Sequence, residues 1–119
     1  MNDYVYTSRQ EGKISVIFKN EADKPFKIGE KMNEIDEKAY MNGYNWDAFF
    51  DYYLRKYAPD VLEGMNPDPE AGMYEAYYAP SSENEERARK FDEIIRNLIE
   101  NENKIYRITR EEGKNIAWD

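Results

Sequence analysis

The stretch Gly43–Ala79, GYNWDAFFDYYLRKYAPDVLEGMNPDPEAGMYEAYYA, decides the fold. In its first half Trp46, Phe49, Phe50, Tyr53, Tyr57 and Val61 recur at spacings of three and four, which aligns them along one side of an α-helix. From Met73 the period falls to two. Tyr74, Ala76 and Tyr78 then share one face, and Met73, Glu75 and Tyr77 share the other, as in a strand with unlike faces. The expected helix runs from Asn45 to Glu63, with Asn45 as its cap because an Asn amide oxygen accepts from the unpaired N–H groups of a first turn. Pro59 should kink or restart it, and Gly64 should close it. The expected strand runs from Met73 to Ala79. Between them, Pro67 and Pro69 restrict the backbone of the turn Asn66–Gly72, so ordering that turn costs less entropy than its length suggests.

The flanking segments add to this unit. Tyr4-Val5-Tyr6-Thr7 and Ile14-Ser15-Val16-Ile17-Phe18 are β-prone runs joined by the polar link Arg9-Gln10-Glu11-Gly12, which predicts an antiparallel hairpin over residues 3–19. One face of its second strand should enter the core, and the other should find cover from a helix or the rim. From Asn20 to Met41 the pattern is weaker. Phe26 and Ile28 suggest a short extended piece after Pro25, and Met32, Ile35 and Ala39 suggest a short helix, with Gly29 separating the two. Acidic and basic residues are interspersed here, which reads as a solvated surface without a charge-specific site. Ser82 with Glu85 predicts a capping box. Beyond it Ala88, Phe91, Ile95 and Leu98 define an amphipathic helix to about Asn101. The tail from Lys104 fits either a strand over Ile105–Thr109 or a last helix ending at Gly113, and the helix is favoured, with Ile116 and Trp118 packing back.

At 119 residues, 40% hydrophobic and 35% charged, with 11 Tyr, 5 Phe and 2 Trp, the chain reads as one folded domain rather than a disordered segment. It has no Cys and no His. Disulfides, thiolate nucleophiles, Ser-His-Asp arrangements and His-ligated metals are therefore excluded, and an enzyme would have to work with carboxylates, Lys or Tyr. The net charge of −8 disfavours nucleic acid and anionic membranes as partners and favours basic protein surfaces. No apolar run has the length of a membrane span, and Met1-Asn2-Asp3-Tyr4 lacks a secretory pattern, so the expected location is cytoplasmic.

Asn66, Asp68 and Glu70 alternate as in a calcium loop, but the glycine falls one position late, prolines intervene and Tyr77 stands where a bidentate glutamate is needed. The turn is structural, and neither a metal nor another cofactor is expected. Tyrosines that face outward beside acidic groups suit a protein interface. Tyr44, Tyr52 and Tyr78 are the candidates. The residues expected to face a partner are Tyr44, Asp47, Asp68, Glu70, Glu75 and Tyr78.

Asn42-Gly43-Tyr44-Asn45-Trp46, a helix, and Asp68-Pro69-Glu70-Ala71-Gly72-Met73-Tyr74 together resemble the two motifs of the immunity protein 51 family of bacterial polymorphic toxin systems. The second motif is the more specific, with Tyr74 in place of a Phe. In the first, Asn45 stands where the family pattern has Asp. The similarity covers roughly residues 40 to 101, and the tail from Lys104 does not align. The resemblance implies a non-enzymatic α+β protein, a small antiparallel sheet packed on two main amphipathic helices in one domain over residues 1–119, that binds and occludes a cognate toxin domain. Two other readings stand beside it: an adaptor for another intracellular protein, and a small-molecule-binding domain with a tyrosine-lined pocket.

Overall fold

A computed structural model describes residues 3–119; Met1 and Asn2, part of the terminus read above for a secretory pattern, lie outside them. The predicted hairpin forms from β1 (Val5–Gln10) and β2 (Lys13–Phe18), turning at Gly12, whose φ of 72° is open to glycine at no steric cost. The central strand β4 (Tyr74–Tyr78) pairs antiparallel with β2, and the two-residue β3 (Asn66–Pro67) pairs on its far side, so the sheet order is β1-β2-β4-β3. Pairing at Asn66–Pro67 turns the proline-rich turn into the tip of a second hairpin.

Register decides which side chains are buried. Phe18 lies opposite Val5 and Tyr74, Val16 opposite Ala76, and Ile14 opposite Tyr78, and all of these are buried. Of the helices α1 (Asp23–Ile35), α2 (Gly43–Tyr57), α3 (Ser82–Glu100) and α4 (Glu102–Glu112), α2 and α3 pack on the sheet, and α1 and α4 pack against α3 and each other. The layers meet in an aromatic cluster. Phe50 sits edge-on to Phe18, Tyr74 and Phe91 at ring separations of 5.5, 5.1 and 5.7 Å, and Trp46 lies 5.0 Å from Phe18. Such edge-to-face pairs add roughly 0.5–1.5 kcal/mol each beyond the area they bury.

Several expectations need correction. The cap of α2 is Asn42, whose Oδ1 accepts from Asn45 N–H at 3.0 Å. Asn45 is itself buried and donates to the Tyr40 carbonyl, while its Oδ1 accepts from the Asp119 amide, tying the chain end to the start of α2. The helix ends at Tyr57 and resumes as a 3-10 turn, Pro59–Leu62, which is the restart expected at Pro59. Tyr57 leaves the buried stripe and is exposed. The cap of α3 is Ser81, bonded to Asn84 N–H, and Glu85 pairs with Arg9 instead of closing a box. Asp23–Ile35 is one continuous helix. Pro25 is its third residue, where no intrahelical acceptor is needed, and Gly29 packs against Met41. The tail forms α4 as expected, with Ile116 buried and Trp118 half-buried.

The other side of the sheet carries Tyr6, Ser8, Ile17, Glu75 and Tyr77. Its cover comes from side chains at the rim: Lys19 and Lys13 lie over the rings of Tyr6 and Tyr77, Ser15 is buried and Ile17 is half-buried.

The two central tyrosines make opposite predictions. The Tyr78 hydroxyl donates to the Val61 carbonyl at 2.7 Å, whereas the equally buried Tyr74 hydroxyl has no partner, and burial pushes both phenols up from their ordinary pKa. Tyr74→Phe is therefore expected to raise the unfolding free energy by about 1 kcal/mol, and Tyr78→Phe to lower it by about as much. Urea denaturation of the two variants checks the difference in sign.

Candidate interaction surface

Both sequence motifs converge on one corner. Gly43 opens α2 with its N–H donating to the Ala71 carbonyl at 2.8 Å, while Glu70 and Met73 exchange backbone hydrogen bonds across the tip of the β3–β4 hairpin. The approach is too close for any side chain. A Cβ on Gly43 would stand 1.8 Å from the Glu70 oxygen and 3.0 Å from that of Met73. The turn is held on its other side by Asn20, whose Nδ2 donates to Ala71 O at 3.4 Å, and Glu21 lies over Gly72. The motif residues Gly43, Ala71 and Gly72 thus serve to join the hairpin tip to the helix start.

Around this corner the expected partner-facing residues separate. Tyr44 is exposed on the first turn of α2, and Glu70 is exposed on the hairpin tip beside it. Asp68 is exposed and donates its N–H to the Glu75 carbonyl at 2.7 Å; Glu75 is half-buried on the open side of the sheet. Asp47 is half-buried one turn into α2, where burial first and the charge of Asp51 second hold its carboxyl above the ordinary aspartate pKa. Tyr78 does not belong with them: it shares the parity of Tyr74 and Ala76 and is fully buried. Tyr52 is also engaged inside the protein, donating to Glu112.

The remaining tyrosines do not line a common ligand cavity. Tyr74 and Tyr78 fill the core, Tyr4 donates to Glu100, and the Tyr53 hydroxyl accepts from Lys104. A hollow of about 640 Å³ lies where α3 turns into α4, and Tyr53 is its one aromatic lining residue. Among the described residues no group of three acidic side chains is placed to hold a metal ion.

A surface that sequence reasoning passed over lies next to the corner. Between α1, the segment Tyr40–Asn42 and Ala71 runs a groove of about 440 Å³. Glu30 and Glu34 line it from α1 with Glu21 below them, and Phe26 and Tyr40, 50% and 69% exposed, form its apolar walls. The lysines of α1 point elsewhere: Lys24 pairs with Glu100, and Lys31 lies over Tyr106. Charges that alternate along the chain are thus sorted onto two sides of the helix, as a period of 3.6 dictates.

Fold and surface define an α+β protein with four helices and a four-stranded antiparallel sheet, on which α2 and α3 pack. Residues 5–114 match the profile of the family Immunity protein 51, and the chain belongs to that family. Comparison with curated proteins and with solved structures found no match.

Asp47 supplies a prediction with a defined sign. A carboxyl whose folded-state pKa is raised above its unfolded value opposes folding when ionised, and that penalty vanishes once the pH falls below the ordinary aspartate value near 4. Asp47→Asn is expected to raise the thermal midpoint at pH 7 and to lose the advantage by about pH 3, as calorimetry at the two pH values would reveal.

Proposed function

We propose that this protein neutralises a cognate toxin domain of a bacterial polymorphic toxin system by forming a stoichiometric complex that occludes it, without chemistry of its own. The observation that carries the reading is membership of the immunity family over residues 5–114. Three features of the molecule support it. A chain without His or Cys has neither an imidazole base nor a thiolate nucleophile. Its net charge of −8 speeds encounter with a basic partner. Its exposed aromatics, Phe26, Tyr40 and Tyr44, sit among acidic groups near the motif corner and supply the large, rigid contacts that anchor protein interfaces. An inhibitor of this kind acts where its toxin acts, in the cytoplasm of the producing cell or its neighbour. No helix among the described residues is long and apolar enough to cross a membrane.

The test is co-expression with the toxin domain encoded beside the gene. Growth should return in cells carrying both, and the two chains should co-purify in equal amounts. Soluble protein that neither restores growth nor binds the domain would remove the reading.

A further inference from the structure

Resting on the toxin-binding reading, we infer that the acidic, aromatic-walled groove beside α1 is the receptor for an arginine-bearing segment of the toxin. The groove offers acceptors without cations. Among the described residues none of Glu21, Glu30 and Glu34 makes an ion pair, although most of the other carboxylates on α3 and α4 do. Three unpaired carboxylates alone are a solvated surface. The second observation is Asn20, which lines the same groove but is only 2% exposed, so it forms the floor rather than the rim. Its Nδ2 is held by the Ala71 carbonyl, and its Oδ1 is buried without a hydrogen-bond partner. A buried acceptor left unpaired costs about 1–3 kcal/mol, and a donor that reaches it as the side chains over the floor move apart would relieve that cost.

The lining specifies what kind of donor. A buried amide oxygen and exposed carboxylates in one groove ask for several N–H groups diverging from one plane, and the guanidinium group supplies five. Phe26 and Tyr40 offer ring faces against which its plane can stack and its methylene stem can lie. A lysine ammonium would satisfy the charge but has three donors on a compact point charge and no plane to stack on a ring. The location also fits: Ala71 belongs both to the groove and to the corner that fixes α2, so the receptor sits on the most constrained part of the fold. A pre-organised site loses less entropy when occupied.

The experiment titrates acetyl-Arg-Arg-amide into isotope-labelled protein at low salt, followed by amide NMR, with the citrulline counterpart as a neutral isostere. The arginine peptide should shift the Asn20 side-chain amide and the backbone amides of Tyr40, Met41 and Ala71 saturably, and the citrulline peptide should not. Glu30→Gln with Glu34→Gln, both on exposed positions, should weaken binding about tenfold without moving the unfolding midpoint. Shifts of equal size with citrulline, shifts centred on Glu75 and Tyr77, or undiminished binding by the double variant would overturn the inference. The co-expression assay separates the two levels. Protection that survives the double variant intact sinks the groove and leaves the toxin reading standing; arginine binding by a protein that protects no cell sinks the toxin reading and leaves the groove as an arginine site.

Discussion

The contact between the Gly43 backbone and the Glu70–Met73 hairpin tip is the constraint on which the rest of this structure depends. It sets where α2 begins relative to β4, and so where Phe50 meets Phe18, Tyr74 and Phe91. Asn42 and Asn45 extend the constraint outward, the first by capping the helix, the second by binding the Tyr40 carbonyl and the Asp119 amide. Helix, hairpin and chain terminus therefore meet at one point. Within the first motif, Gly43 has no room for a side chain.

This arrangement bears on how function is divided over the surface. The motif backbone is occupied within the fold, and the corner displays Tyr44, Glu70, and the groove lined by Phe26, Tyr40 and the glutamates of α1, the surface that the proposed function assigns to the toxin. The open side of the sheet, with Tyr6, Ile17 and Tyr77, is chemically different, because its rings are already covered by Lys19 and Lys13. An acidic receptor on a rigid corner and a cation-covered sheet face would select different partners. The overall charge of −8 favours the first for a basic toxin.

Much of the architecture was legible because it rests on local periodicity. The aromatic stripe of α2, the alternation in β4, the Gly12 hairpin and the stripe of α3 each declare their period within a few residues. Capping residues were misplaced by one to three positions, because Asn42 and Asn45, or Ser81 and Ser82, have equal propensity and only tertiary contacts decide between them. The helix α1 was broken in two on local grounds, by Pro25 and Gly29. Packing against Met41 and α4 overrides both. The groove was hidden for a related reason: its members come from Asn20 to Ala71, and the lysines interspersed with Glu30 and Glu34 in the chain leave that side only once the helix is wound. Tyr78 was misread as outward although its parity with Tyr74 already placed it inside.

Gly43 is a structural residue first, and the stability of Gly43→Ala measures that most directly. An added methyl must displace the Glu70 carbonyl, so denaturant unfolding should show a loss of about 3 kcal/mol or more, with the amide signals of Glu70–Met73 shifted throughout. A variant that unfolds at the wild-type midpoint with an unchanged hairpin tip would contradict the claim that this corner holds the fold together.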